Sequence, residues 1–139
     1  MTQPKRLSDH LSATSQIDPA NMQALADAGF RSVINNRLDG EDPAQPDWIA
    51  IERAARDAGI EARHIPVIPG AIGDEDVSQF AAALEDLPGP IVAFCRTGTR
   101  STTLWALANA GKRSPDELIA TAADAGYDIA PLRGGLTKG

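Results

Sequence analysis

A strand–loop–helix pattern around the chain's single cysteine constrains the fold more than any other feature. The apolar run Ile91–Phe94 precedes Cys95, a short polar loop follows, and Leu104 and Leu107 then recur at helical spacing. Such a turn places the cysteine at the end of a strand and the start of a helix, where backbone N–H groups and the helix dipole stabilise an anion. The sequence therefore predicts an anion-binding loop that favours an ionised thiol.

The residue types of this loop suit anion binding. Arg100 offers a planar guanidinium, and Gly98 permits backbone conformations that other residues avoid. We predict Cys95 and Arg100 as the catalytic residues, with an anion-binding set made of Arg96, Thr97, Gly98, Thr99 and Ser101. The amides of residues 96–100 are expected to point at the anion, and the Ser101 hydroxyl to donate to the cysteine sulfur. A buried structural cysteine is the alternative, but it gives no packing reason for so polar a loop.

Composition limits the partners. The net charge of −6 over 139 residues argues against nucleic acid, which requires a basic surface. One cysteine excludes an internal disulfide and fits a reducing compartment, and no run is long enough to cross a membrane, so we expect a cytoplasmic protein. Neither histidine has a metal-ligand pattern, and no cofactor is implied. We expect one domain over residues 9–139, after a flexible lead-in over residues 1–8.

Predicted strands alternate with predicted helices through most of the chain, which indicates an α/β fold with a mostly parallel central sheet flanked by helices. Ligands of such sheets bind beyond the carboxyl ends of the strands, where Cys95 is placed. The strands are expected at residues 10–14, 32–35, 61–67 and 91–94. The helices are expected at residues 18–29, 46–58, 74–87, 101–110 and 114–126, with an irregular tail over 131–139.

The cysteine loop resembles two related signatures. Protein tyrosine and dual-specificity phosphatases have five residues between the cysteine and the arginine, and rhodanese-type sulfurtransferases have four, as Cys95 and Arg100 do here. Residues 29–37, Gly-Phe-Arg-Ser-Val-Ile-Asn-Asn-Arg, resemble a segment of dual-specificity-phosphatase-like folds, and residues 65–67 and 104–107 fit the same frame. The combination is similar to a bacterial family of phosphatase-like sulfurtransferase domains, related to the phosphatase-like domain of β-lactamase hydrolase-like proteins. The resemblance implies a phosphatase-type fold carrying a rhodanese-type loop.

Loop length and a missing acid favour sulfur transfer over phosphoryl transfer. In the resemblance, the shorter loop accompanies sulfane sulfur, and related phosphatases place an aspartate after the strand that matches residues 61–67. Here that loop begins Ile-Pro-Gly-Ala-Ile-Gly, and Asp74, its nearest carboxylate, stands where a helix N-cap belongs. We therefore expect a sulfurtransferase that moves sulfane sulfur from thiosulfate or a persulfide, through a Cys95 persulfide, to a protein or low-molecular-weight thiol.

Two other functions stay open. A cysteine phosphatase would act through a Cys95 phosphocysteine, and a non-catalytic module would bind an anion or a persulfide for a partner protein. Asn35 and Arg37 are expected to line the pocket, with Asn35 or Asn36 buttressing the loop. His64 is expected to be a sheet residue, and the acidic residues 39, 41 and 42 a solvated loop.

Overall fold

The computed structural model describes residues 3–137, in which five strands form one sheet in the order β1-β2-β5-β3-β4. Strands β2, β5, β3 and β4 are parallel, and β1 pairs antiparallel with β2 at one edge. The strands are β1 (Lys5–Arg6), β2 (Leu11–Thr14), β3 (Ser32–Asn35), β4 (Glu61–His64) and β5 (Ile91–Phe94). The predicted α/β fold with a mostly parallel sheet is confirmed, and β5 lies at its centre.

Helices cover both faces of the sheet. They are α1 (Met22–Asp27), α2 (Trp48–Asp57), α3 (Asp74–Asp86), α4 (Thr99–Ala108), α5 (Pro115–Asp124) and α6 (Arg133–Leu136). The central strand alternates between two apolar clusters, as successive side chains of a strand must. Ile91 and Ala93 pack with α3 to α6, whereas Val92 and Phe94 pack with α1 and α2. All four side chains are buried, which fixes the position at which Cys95 leaves the sheet.

The segments near both ends of the described residues are more ordered than the sequence indicates. Residues 1–8 were expected to be a flexible lead-in, but Lys5–Arg6 forms β1 and Leu7 is buried in the core. The expected irregular tail, 131–139, instead continues a short 3-10 turn, Ala130–Leu132, into α6, because Leu136 buries itself against the core. Residues 1, 2, 138 and 139 of these two segments lie outside the described residues.

Strand β4 is shorter than predicted, and helix α3 starts at Asp74 as predicted but has a different N-cap residue. The strand predicted over 61–67 ends at His64, although Ile65 N and Val67 N still donate to the carbonyls of residues 35 and 36 at 2.9 and 3.2 Å. The N-cap of α3 is Gly73 rather than Asp74, and the Asp76 carboxylate accepts from Gly73 N at 3.0 Å. Between residues 3 and 137, no helix combines the length and apolar character that crossing a bilayer requires.

Candidate active site

The parallel sheet brings three strand ends together around Cys95. Cys95 follows β5, and the register aligns Phe94 with Thr14 of β2 and with Asn35 of β3. Chain segments that leave β2 and β3 must therefore flank the cysteine on either side. Asn36 N confirms this proximity, since it donates to the Phe94 carbonyl at 2.8 Å.

The Cys95 sulfur lies beneath the start of α4. Gly98 N donates to Cys95 Sγ at 3.0 Å, and the side chain lines a cleft even though the residue is only 1% exposed. Gly98 has a φ of +101°, in the left-handed region that favours glycine. A Cβ atom at this position would also collide with the hydroxyl of Tyr127. Glycine at 98 is therefore what lets a loop amide reach the sulfur.

Hydrogen bonds within the loop fix its shape. Thr102 Oγ1 donates to Gly98 O at 2.9 Å, and Tyr127 OH donates to Thr97 O at 3.3 Å. Thr99 N donates to Thr97 Oγ1 at 3.4 Å rather than to the sulfur. The amides of residues 96–100 were expected to surround the sulfur, but among them the structure shows the amide of Gly98 donating to it. The hydrogen bonds of the threonines hold the loop in shape.

Ser101 was expected to donate to the sulfur, but its hydroxyl supports the loop through Asn36 instead. Its hydroxyl donates to Asn36 Oδ1 at 2.7 Å, and Asn36 Nδ2 donates to the Ile65 carbonyl at 2.9 Å. Both side chains are fully buried, so each needs these partners. Asn36, one of the two candidates for a buttress, therefore connects the start of α4 to the segment after β4.

The guanidinium of Arg100 is held by Glu41. Arg100 NH1 and NH2 donate to the two carboxylate oxygens at 2.7 and 2.8 Å, and NH1 also donates to Val67 O at 3.0 Å. The hydrogen bond with Glu41 raises the pKa of Arg100, and the negative charge of the nearby Cys95 acts in the same direction. Arg100 is therefore a fixed cation beside the sulfur, with its forked face turned to Glu41.

Glu41 bridges two buried arginines. Arg37 Nε donates to Glu41 Oε1 at 2.9 Å, and the side chain of Glu41 is only 20% exposed. The pKa of its carboxyl is lowered to about 2, chiefly by the hydrogen bond from Arg100, with burial opposing. The expectation of a solvated acidic loop is wrong for this residue, because the two guanidinium groups draw its carboxylate inward.

Arg37 is buried beside the site. Its NH1 donates to Gln16 Oε1 at 2.7 Å, its carbonyl contacts His64 Nε2 at 2.6 Å, and it lines a depression shared with Arg96 and Arg100. Asn35, expected to line the pocket, instead accepts from Arg37 N at 2.8 Å, because its short amide turns back to its own backbone. Together with Asn36, Arg37 and Glu41, residues 95–101 form what we call the polar floor.

Uncharged residues complete the lining of the cleft that contains Cys95. The cleft has a volume of about 470 Å³. The side of the cleft that we call the apolar wall consists of Pro69, Gly70, Ile72, Leu107 and Leu132. Among the described residues that line the cleft, none is an aspartate, glutamate or histidine. Asp74, the candidate general acid, is an exposed residue in the first turn of α3 and is not part of this lining.

Two contributors to the site carry no local sequence signal. Glu41 lies 59 residues from Arg100, and Tyr127 lies 30 residues from Thr97. Burial, and secondarily the charge of Cys95, raises the pKa of the Tyr127 hydroxyl, which keeps it protonated as a donor to the loop. The four-residue spacing of Arg37 and Glu41 is compatible with an ion pair, but nothing in the sequence connects either residue to Arg100.

Each of the two histidine side chains contacts a backbone carbonyl through its Nε2 atom. His10 Nε2 contacts the Leu84 carbonyl at 2.9 Å, and His64 stacks on Trp48 with ring centroids 4.9 Å apart. Within the described range, no three His, Cys, Asp or Glu side chains come together in a way that could hold a metal ion.

Comparisons with known proteins place this geometry in a family. The model for the phosphatase-like domain of beta-lactamase hydrolase-like proteins matches residues 4–112. A beta-lactamase hydrolase-like protein of Xylella fastidiosa is 34% identical over 125 residues, which are 88% of this chain and 29% of that protein. The chain thus spans less than a third of this curated relative.

Solved structures agree on the fold. A phosphatase candidate from Neisseria meningitidis is 33% identical, with a TM-score of 0.87 over 95% of this chain and 94% of that one. PTPMT1 is 16% identical, with a TM-score of 0.74 over 97% of this chain and 92% of its own, and shares the fold alone. Since the family match includes both the Cys95 loop and the segment that supports it, the chain belongs to the phosphatase-like domain family of beta-lactamase hydrolase-like proteins.

Proposed function

We propose that this domain is a sulfurtransferase that carries sulfane sulfur on Cys95. The fold and family are phosphatase-like and are compatible with two chemistries at the cysteine, phosphoryl transfer and sulfur transfer. The two differ in what the leaving group requires. An alkoxide leaving from phosphorus needs a proton, whereas sulfite, a sulfinate or a stabilised thiolate leaves as an anion.

The observation that carries the proposal is that none of the described residues lining the cleft at Cys95 is an aspartate, glutamate or histidine that could act as a general acid. The apolar wall has no ionisable side chain in the described lining of the cleft. Glu41 is the carboxyl of the polar floor, but with a pKa of about 2 it holds no proton at neutral pH. A positioned general acid contributes about 10²–10⁴-fold to the rate. Phosphoester hydrolysis loses that factor here, and sulfur transfer does not.

The proposed reaction has two balanced steps. The Cys95 thiolate attacks the outer sulfur of the donor, a new S–S bond forms, and the bond from that sulfur to the donor breaks with its electron pair. With thiosulfate the leaving group is sulfite, and Cys95 is left as a persulfide anion. An acceptor thiolate then attacks the outer sulfur of the persulfide, and Cys95 leaves as the original thiolate. No proton needs to be delivered to a leaving group in either step.

The floor provides the electrostatics for this cycle. The Gly98 amide donates to Sγ, and Arg100 stands beside it as a permanent cation. Because Glu41 neutralises one of the two buried guanidinium groups, the net positive charge is smaller than three arginines around the site would give. That balance suits a singly charged anion, such as the Cys95 persulfide, better than a phosphoryl dianion.

A cysteine phosphatase is the second candidate. It is favoured by the fold, which matches PTPMT1 and other phosphatase structures, and by the position of the cysteine beneath a helix N-terminus. The two functions are separable because they place different groups on the same atom. They also require different donors, so each can be tested on the same preparation.

Parallel assays test the proposal. Sulfur transfer from thiosulfate to cyanide and hydrolysis of an aryl phosphate should be measured on the wild type and on Cys95→Ser. We expect sulfur transfer in the wild type, a drop below about one thousandth of it in the variant, and aryl phosphate hydrolysis near background in both. Phosphate release that depends on Cys95 and exceeds sulfur transfer would instead identify a phosphatase.

A further inference from the structure

The apolar wall surrounds more space than an inorganic anion fills. Ile72, Leu107 and Leu132 come from the loop before α3, from α4 and from the 3-10 turn near the C-terminus. Each is partly buried against the main apolar cluster and also lines the cleft. Their exposed surfaces converge beside Cys95, in a cleft of about 470 Å³, which is within the range of sites for organic ligands.

The charged residues of this cleft belong to the Cys95 loop and the first turn of α4, whereas Leu107 lies about two turns further along that helix. Arg96 and Arg100 line it near Cys95, and the other polar lining comes from threonines of the loop and of α4. A ligand that matches this pattern has an anionic sulfur head and an uncharged apolar body. Thiosulfate matches the charged end only, because its remaining atoms are charged oxygens that would face Ile72 and the two leucines.

We propose that the sulfur donor of this site is an organic anion whose terminal sulfane sulfur is attached to an apolar group that packs against Ile72, Leu107 and Leu132. The inference rests on the proposed function and specifies its substrate class. For a thiosulfonate donor, the Cys95 thiolate attacks the terminal sulfur, the sulfur–sulfonyl bond breaks, and its electron pair leaves with the sulfinate. Charge is conserved and no proton moves, which suits a cleft whose described lining has no aspartate, glutamate or histidine.

The test varies the body while keeping the head constant. Sulfur transfer to cyanide is measured with methanethiosulfonate and benzenethiosulfonate, and each kcat/KM is divided by the rate of the same donor with a free small thiol. This division removes the difference in leaving-group reactivity. We expect the corrected preference for the benzene compound to be about tenfold, the size of effect that a filled apolar pocket gives. A corrected ratio near one would overturn the inference while leaving sulfur transfer established.

Variants assign that preference to the wall. Leu107→Ala and Leu132→Ala should each lower the corrected ratio about threefold or more, because they remove the surface that the ring contacts. Ile49→Ala is the matched control, since Ile49 is 61% exposed on α2 and does not line the cleft. It should retain the wild-type ratio. If the control lowers the ratio as much as the wall variants do, the preference does not arise at the wall.

A binding measurement separates this inference from the proposed function. Protection of Cys95 against iodoacetamide is titrated with methanesulfonate and with benzenesulfonate, neither of which can donate sulfur. Stronger protection by benzenesulfonate, lost in Leu132→Ala and kept in Leu132→Met, supports the apolar subsite even if no donor yields a persulfide. Equal protection by the two sulfonates contradicts it. Absence of transfer from every donor, with stronger protection by benzenesulfonate retained, would contradict the proposed function and leave the apolar subsite standing.

Discussion

The two sides of the Cys95 cleft differ in how their side chains are held. On the polar floor, Glu41 forms ion pairs with Arg37 and Arg100 through hydrogen bonds of 2.7 to 2.9 Å. Asn36 is held by Ser101 and by the Ile65 carbonyl at 2.7 and 2.9 Å. On the apolar wall, Ile72, Leu107 and Leu132 are held by packing and present no charge. The difference teaches that the floor fixes where the sulfur and the positive charge lie, whereas the wall decides what fits beside them.

Gly98→Ala should break the floor most severely. The added Cβ would collide with the Tyr127 hydroxyl, and alanine is strained at a φ of +101°. The loop must shift, and the hydrogen bond from the residue 98 amide to Sγ is lost. We therefore expect kcat/KM for sulfur transfer to fall about 10²-fold. Gly134→Ala is the matched control, because a Cβ there meets no atom within 4 Å. Full activity in Gly98→Ala would show that the amide of residue 98 does not support the reaction.

Glu41→Gln should cost stability more than any other single change on the floor. It leaves Arg37 and Arg100, both buried, without their carboxylate, and we expect a loss of about 2–3 kcal/mol in the free energy of unfolding. Asp42→Asn is the control in the same loop, and its exposed side chain should change stability little. Urea unfolding of both variants measures the difference. Equal stability of the two would mean that the bridge between the arginines is energetically neutral.

The same carboxylate predicts a pH dependence. Because the pKa of Glu41 is about 2 in the folded protein and near its ordinary value of 4.5 when unfolded, its ionised form stabilises the fold at pH values above 4.5. That contribution should decline as the pH falls from about 4.5 toward 2, as the unfolded state takes up the proton first. Urea midpoints measured across this interval should fall more steeply for the wild type than for Glu41→Gln. Parallel curves would contradict the assignment.

Much of the frame can be predicted from the sequence, because it depends on local patterns. Strand β5 is a continuous apolar run, and the Ser114–Glu117 capping box predicts the start of α5, where the Ser114 hydroxyl accepts from Glu117 N at 3.2 Å. The position of Cys95 follows from the same rules. Side chains that join the site from distant segments follow from no local rule, which explains why Glu41 was expected in solvent and Ser101 on the sulfur.

The ends of the chain show the same limit. Nothing in Lys5 and Arg6 indicates a strand, and they form β1 only because the edge of β2 offers partners for their backbone. The tail could not be predicted as a wall of the cleft, since Leu132 reaches it only through the packing of α6 on α4 and α5. Tertiary contacts decide such segments, and composition alone does not reveal them.

Ser101→Ala should have the smallest effect and should separate support from chemistry. It leaves Asn36 Oδ1 buried without its donor, and we expect a loss of about 1–2 kcal/mol in the free energy of unfolding. Because the Ser101 hydroxyl contacts Asn36 and not the sulfur, kcat/KM for sulfur transfer should stay within about threefold of the wild type. Ser78→Ala, at an exposed position on α3, is the control for stability. A large loss of activity without a loss of stability would indicate that the Ser101 hydroxyl acts directly on the Cys95 sulfur.

Intact mass spectrometry tests the central claim most directly. One sample of the protein is incubated with a sulfane-sulfur donor and another with an aryl phosphate, and both are quenched rapidly. Peptide mapping then identifies the residue that carries any added mass. We expect the first sample to gain the mass of one sulfur atom on Cys95, and the second to remain unmodified. A phosphoryl group on Cys95 in the second sample, with no sulfur adduct in the first, would contradict the account.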